Sequence, residues 1–173
     1  IGIISPGKAV AGWLGGSAER ARIVFQLGDI GVISRSGGQT STVAWALKQA
    51  GFGISTALHV GTEPVVGLSF GDILPLFEED KETVAVAAFG EIGGTQEEEA
   101  AEVIREGKFT KPFVIYIAGA WAPAGMRFSH ASSIIEYGRG STESKIKALK
   151  EAGAYVVNRP EEIAPTLKRI LRR

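Results

Sequence analysis

The chain has no cysteine, a single methionine and only two histidines among its 173 residues. Without cysteine it can build neither a disulfide framework nor a thiolate nucleophile, and such a composition is typical of proteins from a reducing compartment. We therefore expect a cytoplasmic protein whose chemistry depends on other side chains.

An excess of charge is also absent, since Lys plus Arg and Asp plus Glu each number 19. A chain without net charge offers no long-range field to nucleic acid or to anionic lipid, so neither partner is expected. The longest apolar stretch without charge, residues 112–126, is too short for a membrane helix and contains Gly and Pro. No basic segment or cleavage site accompanies the apolar residues 1–4, and the lack of an initial Met predicts a fragment or a processed piece.

What the sequence does contain is a regular alternation of apolar runs of strand length with segments of helical period. The runs are residues 29–34, 54–61, 83–90, 112–119 and 154–158. The helical segments that follow them are residues 40–51, 70–80, 95–107, 141–153 and 160–173. Five such units predict an α/β fold with an open parallel sheet and helices on both faces. We expect residues 29–173 to form this single domain, entered by a Gly-rich linker or hairpin at residues 1–28.

Three loops of this sheet carry distinctive side chains. Ser36, Gly37 and Gly38 follow the first strand, Glu91 follows the third, and His130 lies in the loop after the fourth. The loops that follow parallel strands share one edge of the sheet, where ligands bind. Glycines at a helix start let N–H groups approach an anion, and the helix dipole favours negative charge there. An anion cradle, a carboxylate and an imidazole together predict phosphoryl transfer through histidine.

Each of these features also has a simpler interpretation. A single loop histidine is often a surface residue, a Ser-Gly-Gly sequence is often a tight turn, and a Glu after a strand is often solvated. Their common placement favours the joint interpretation. No cysteine and no second histidine lies near His130 in sequence, so zinc ligation is disfavoured and no metal site is expected.

Other conspicuous residues are expected to be structural. His59 lies inside the second strand, and the acidic run at residues 97–99 is expected to form a solvated helix face. Trp13, Trp45 and Trp121 are expected to be packing residues.

Motifs in the same order resemble the second, flavodoxin-like domain of the α subunit of succinate–CoA ligase. The resemblance runs nearly without gaps from about Asp29 to about Ile163. Its landmarks are "VISRSG" (32–37), "GFG" (51–53), "GEIGG" (90–94), "KPFVIYIAG" (111–119), "AP" then "G" (122, 123, 125) and "HA" (130–131). So many matches in order are more specific than any single glycine motif.

The resemblance implies a mechanism. In that family an acyl-CoA and phosphate give an acyl phosphate, which phosphorylates a loop histidine. The phosphohistidine is then presented to ADP or GDP held by the β subunit. His130 falls on the phosphorylated position, Glu91 on the glutamate that supports it, and Ser36 and Gly37 on the start of the phosphate-facing helix. The resemblance also implies a β-subunit partner. CoA, phosphate and magnesium–nucleotide would be substrates rather than tightly bound cofactors, with the CoA and nucleotide sites mostly outside this chain.

The sequence departs from the family pattern at the substrate pocket. Where the family usually has S-R-S-G-T-L-T-Y-E, this chain has "SRSGGQTST" (34–42). Gly38 replaces a threonine, and Ser41 stands where a tyrosine helps to form the pocket. We therefore expect an altered selectivity for the acyl substrate. Two alternatives stay open: an ADP-forming ligase of the acetate or malate type, and a non-catalytic flavodoxin-like module that binds a phosphate-bearing ligand.

Overall fold

The computed structural model describes residues 2–14, 16–63, 65–119 and 140–173. These residues form one seven-stranded sheet and six α-helices. The strands are β1 (Gly2–Ser5), β2 (Ala9–Gly12), β3 (Leu27–Ser34), β4 (Ile54–His59), β5 (Ala85–Glu91), β6 (Phe113–Ala118) and β7 (Tyr155–Val157). The helices are α1 (Ala18–Val24), α2 (Gly37–Gln49), α3 (Phe70–Glu79), α4 (Gln96–Arg105), α5 (Thr142–Glu151) and α6 (Ile163–Leu171).

The sheet has the order β2-β1-β4-β3-β5-β6-β7. Strands β4, β3, β5, β6 and β7 are parallel. Within this set the chain passes from β3 to β4 on one side, and then to β5, β6 and β7 on the other. The hairpin of β1 and β2 adds two antiparallel strands beyond β4. The predicted open α/β fold of the flavodoxin type is confirmed.

Two apolar cores lie on opposite faces of the sheet, because successive residues of a strand point to opposite sides. In β5, Ala85, Ala87 and Phe89 join the core that is covered by α1, α2 and α6. Val86 and Ala88 join the core that is covered by α3, α4 and α5. The central strands are therefore buried on both faces, as their continuous apolar sequences predict.

The leading segment is more regular than its sequence suggests. Beyond the hairpin it contains α1, which begins at the cap residue Ser17 and which the sequence analysis did not predict. Leu14 and Phe25 are buried in the core under α2. The segment thus packs against the same sheet, while the division proposed at residue 28 stays a prediction.

Trp13 and Trp45, which were expected to be packing residues, are both exposed, and Trp121 lies outside the described residues. Trp13 is 86% exposed, because it follows β2, an edge strand whose residues all face solvent. Trp45 is 43% exposed on the outer side of α2, where the ammonium of Lys48 lies 5.0 Å from the ring centre. None of the helices within the described ranges is long and apolar enough to cross a membrane.

Near the start of β3 and just before β4, the backbone at Gly28 and Gly53 approaches so closely that only glycine fits. A Cβ on Gly53 would lie 2.2 Å from the carbonyl oxygen of Leu27, and one on Gly28 would lie 2.3 Å from the Cα of Gly53. A backbone hydrogen bond joins the two segments there, from the N–H of Ile54 to the carbonyl of Gln26 at 2.6 Å, and moving them apart would break it. This contact sets the spacing of the two strands that lead to the α2 edge.

We predict that Gly53→Ala destabilises the protein by about 1–3 kcal/mol, since the added methyl group overlaps backbone atoms that cannot yield. Urea unfolding followed by circular dichroism measures the change. Gly67→Ala is the matched control, because a Cβ there meets no described atom within 4 Å. The control should change the free energy of unfolding by less than about 0.5 kcal/mol. Equal stabilities of the two variants would contradict the steric argument.

Candidate functional site

A cavity of about 190 Å³ lies at the carboxyl edge of the sheet, between the ends of β3, β4 and β5. It is lined by Arg35, Ser36, Gly37, His59, Thr62, Glu63 and Glu91. Parallel strands bring these residues together because β3 is paired with both β4 and β5. Of the residues predicted from the sequence, the structure therefore gathers three in one cavity: Ser36, Gly37 and Glu91.

The start of α2 forms one wall of this cavity. Ser36 precedes the helix, and its side chain makes no capping hydrogen bond. The N–H of Ser36 donates to Oγ of Ser34 at 3.0 Å and is therefore engaged within the loop. The N–H groups of Gly37 and Gly38 begin the helix, where no intrahelical acceptor exists for them. On this wall, the two N–H groups and the Ser36 hydroxyl can donate hydrogen bonds to an anion.

The other predicted residues lie elsewhere. Gly38 is exposed and Ser41 is half-buried one turn further along α2, and neither lines the cavity as far as the described residues define it. His130 lies outside the described residues. The roles predicted for all of these residues stay predictions.

A buried ionic network lies beside the cavity, and the sequence analysis did not predict it. The Glu97 carboxylate accepts hydrogen bonds from Nη1 of Arg35, at 3.2 and 3.3 Å, and from Nζ of Lys145. It also accepts the N–H of Glu91 at 3.0 Å. The side chains of Glu97 and Lys145 are 0% exposed, and that of Arg35 is 1% exposed.

The two cations of this network also hold the loop that follows β5. Nη1 of Arg35 donates to the carbonyl of Glu91 at 2.9 Å and to that of Gly93 at 2.5 Å. Nζ of Lys145 donates to the same two carbonyls, at 2.8 and 2.6 Å. Both backbone polar groups of Glu91 are therefore held by buried charged side chains.

The network keeps Glu97 ionised. Burial by itself would raise the pKa of this carboxyl, but the charges of Lys145 and Arg35 outweigh that effect. The hydrogen bonds from Lys145 and from the N–H of Glu91 add to it, so the pKa of Glu97 lies below its ordinary value of 4.5. Burial lowers the pKa of Lys145, and the charge of Glu97 opposes that shift.

The expectation of a solvated acidic face on α4 is wrong for two of its three residues. Glu97 and Glu98 are buried, and only Glu99 is half-buried. Oε1 of Glu98 accepts the N–H of Gly140 at 2.8 Å and the hydroxyl of Ser144 at 2.7 Å. Glu97 and Glu98 both lie in the first turn of α4, where a carboxylate can accept backbone N–H groups of neighbouring loops and interacts favourably with the helix dipole.

The sequence contained a signal for this network. Glu97 precedes Ala100 and Ala101 by three and four residues, which places it on the buried face of α4. Lys145 precedes Leu149 by four residues and so lies on the buried face of α5. A charged residue of each sign on the apolar stripe of two neighbouring helices indicates a buried ion pair.

His59 holds the loop after β3, in keeping with a structural role. Its Nε2 lies 3.1 Å from the carbonyl oxygen of Arg35, which can only accept, so this nitrogen carries the proton. Burial lowers the pKa of His59. The ring packs against Gly37, where a Cβ would lie 3.2 Å from Nδ1. No group of three or more His, Cys, Asp or Glu residues within the described part of the chain is arranged to hold a metal ion.

Comparison with known proteins agrees with this architecture. Residues 27–170 match the model of the family described as succinyl-CoA ligase like flavodoxin domain. An ADP-forming sulfoacetate–CoA ligase subunit of an Acholeplasma species is 44% identical over 169 residues, which are 98% of this chain and 56% of that protein. The α subunit of the ADP-forming succinate–CoA ligase of Aquifex aeolicus is 45% identical over 171 residues, which are 99% of this chain and 54% of that protein. The chain thus spans about half the length of these relatives.

Among solved structures, the ATP citrate lyase of Methanothrix soehngenii, determined with citrate and coenzyme A, superimposes with a TM-score of 0.88. It is 25% identical, and the match covers 99% of this chain and 29% of that chain.

The network makes Glu97 important for stability. We predict that Glu97→Gln lowers the free energy of unfolding at pH 7 by about 3–5 kcal/mol, because Arg35 and Lys145 would stay buried without a countercharge. Glu151→Gln, at the exposed end of α5, is the matched control and should change stability by less than about 0.5 kcal/mol. Urea unfolding of both variants measures the difference.

The stability difference between wild type and Glu97→Gln should change in a definite direction as the pH falls. The pKa of Glu97 is lowered in the folded state, so its ionisation adds stability above the ordinary value of 4.5. That contribution is lost as the pH falls through the lower pKa of the folded protein. The stability gap between wild type and Glu97→Gln should therefore be constant from about pH 7 to pH 5 and shrink below about pH 4.5. A gap that widens on acidification would show that Glu97 is not the ionised partner.

Proposed function

The chain belongs to the family of succinyl-CoA ligase-like flavodoxin domains, and we propose that it is the phosphoryl-transfer domain of an ADP-forming acid–CoA ligase. One structural observation carries the proposal. The start of α2 and the carboxylate-bearing Glu91 line a single cavity at the carboxyl edge of the sheet. A helix start whose N–H groups can bind an anion, placed beside a carboxylate, suits a phosphorylated intermediate more than it suits a plain binding module.

In the proposed reaction His130 is the nucleophile. One imidazole nitrogen of neutral His130 attacks the phosphorus of an acyl phosphate, so a P–N bond forms while the P–O bond to the acid breaks and the carboxylate leaves with its electron pair. Glu91 accepts the N–H of the other ring nitrogen and stabilises the positive character that develops on the ring. The N–H groups of Gly37 and Gly38 and the hydroxyl of Ser36 hold the phosphoryl oxygens. ADP then takes the phosphoryl group and returns the ring to its neutral form.

The proposal includes substrates and a partner. We propose succinate as the acid, with sulfoacetate as the main competitor because a relative of equal similarity is named for that acid. The β subunit of the ligase would complete the site. CoA and magnesium–nucleotide would be substrates, bound mostly outside these residues, since the chain spans only about half of its relatives' length.

The first experiment asks whether the chain carries a phosphoryl group. The complete α chain with its β subunit is incubated with magnesium–ATP, and intact-protein mass spectrometry is recorded before and after mild acid. We predict one acid-labile phosphoryl group on wild type and none on His130→Asn. A non-catalytic module would gain nothing, and an acid-stable modification on a serine would refute the histidine mechanism.

Glu91→Gln tests the supporting carboxylate. The change keeps the size of the side chain but removes the charge, so the phosphorylation rate should fall by about ten- to a thousand-fold. Glu143→Gln, at the exposed start of α5, is the matched control and should react at the wild-type rate. Rapid-quench measurement of the labelled chain gives both rates, and an unchanged rate in Glu91→Gln would exclude the role.

Selectivity among acids is proposed to depend on Ser41. A serine at this half-buried position of α2 leaves space that the larger tyrosine of the resembled family would fill. The next residue, Thr42, uses its hydroxyl within the helix, donating to the carbonyl of Gly38 at 3.2 Å. We predict less discrimination between succinate and other carboxylates or sulfonates than in that family, and a roughly tenfold gain in succinate preference for Ser41→Tyr. The ratio of kcat/KM values for a panel of acids measures it, and an identical ratio in both proteins would show that Ser41 does not determine the selectivity.

A further inference from the structure

Lys145 is an unusual residue, because a lysine is seldom fully buried. It lies on the buried face of α5 with a side chain that is 0% exposed. All three of its hydrogen bonds go to one place: the carbonyls of Glu91 and Gly93 and the carboxylate of Glu97. An ammonium group has three donors, so its hydrogen-bonding capacity is used entirely on this target.

Arg35 reaches the same target from a different element. It follows β3 directly and precedes Ser36, so it connects the start of α2 with the loop after β5. Its Nη1 donates to the same two carbonyls and the same carboxylate. Two buried cations from different elements thus converge on the backbone of Glu91 and Gly93.

A packing role alone does not account for this arrangement. Burying charged groups is costly, and replacing a whole buried ion pair or triad by apolar side chains of similar volume is often neutral or stabilising. Two cations that share the same carbonyls do, however, restrict how that stretch of backbone can move. The direction of the Glu91 side chain is set by its backbone, whose N–H and carbonyl are both held.

We propose that Lys145 is a positioning residue, which together with Arg35 and Glu97 fixes Glu91 opposite the start of α2. This inference rests on the proposed function, because Glu91 matters for the reaction only if the chain transfers a phosphoryl group. Lys145 itself touches no reacting atom. Its effect is exerted through the backbone of Glu91.

Three variants test the inference in the complete α chain with its β subunit. Lys145→Met keeps the length and removes the donors, Lys145→Arg restores a buried cation, and Lys147→Met changes an exposed lysine of the same helix. We expect Lys145→Met to lower kcat by about 10- to 100-fold per folded molecule, as the loss of a supporting residue does, with KM for the acid within about threefold of wild type. Lys145→Arg should recover most of the loss, and Lys147→Met should match wild type.

The outcomes that overturn the inference are specific. If kcat per folded molecule is unchanged in Lys145→Met, the residue is only structural. If KM rises and kcat does not, it acts on substrate binding. Circular dichroism gives the folded fraction, and if Lys145→Met does not fold, Lys145→Gln, which keeps a donor, takes its place.

A second measurement separates this inference from the proposed function. If the wild type carries no phosphoryl group, the proposed function fails. Hydrogen exchange of the backbone amides then tests separately whether Lys145 positions the backbone of Glu91. Positioning predicts that Lys145→Met exposes the amides of Glu91 and Gly93 to faster exchange, by at least tenfold, while the amide of Ile30 in β3 changes less. Ile30 donates to the carbonyl of Gly53, far from the network, and so reports general loosening. Equal acceleration at all three amides would overturn the inference.

Discussion

The carboxyl edge of this sheet depends on one buried carboxylate. An isolated Glu97 in the interior would cost several kcal/mol, and it is compensated by two cations and a backbone N–H that converge on it. Room for it exists because β5 carries a glycine at the facing position, where a Cβ on Gly90 would lie 2.6 Å from Oε1 of Glu97. The same cations then hold the loop after β5, so one interaction fixes α2, α4, α5 and that loop relative to each other.

The first turn of α4 extends this effect to the neighbouring loops. Gln96 donates to the carbonyl of Gly61 in the loop after β4, at 3.2 Å, while Glu98 accepts the N–H of Gly140. The N–H of Gly93 donates to the carbonyl of Gly140 at 2.8 Å. On the other side, Gly119 has a φ of 94° and lies so close to Ile92 that a Cβ would be 2.8 Å from Cγ2. The residues that flank segment 120–139 on both sides are therefore held next to the loop of Glu91.

The parts that could be predicted from the sequence are those that follow from periodicity. Continuous apolar runs such as residues 83–90 indicate buried parallel strands. Because the strands are parallel, the loops that follow them must lie at the same edge of the sheet. The network could not be predicted in the same way, because Glu97 stands in an acidic run and Lys145 in a helix rich in lysine. In both cases the neighbouring charged residues make the buried one hard to recognise. Only the spacing to a buried apolar residue distinguishes it, which is three residues from Glu97 to Ala100 and four from Lys145 to Leu149. Helix α1 was missed because its apolar pattern is short and interrupted by arginines.

The same geometry separates what must stay constant from what can vary. Arg35 is buried and shares acceptors with Lys145, so a change there disturbs several elements together. Three residues further along, Gly38 faces solvent at the start of α2, and Ser41 lies half-buried one turn later. Neither makes a hydrogen bond to Glu97 within the described ranges, so their side chains can change without removing a partner from the buried carboxylate. In the proposed function, this separation lets the selectivity among acids change at Ser41 while the buried contacts that hold Glu91 stay in place.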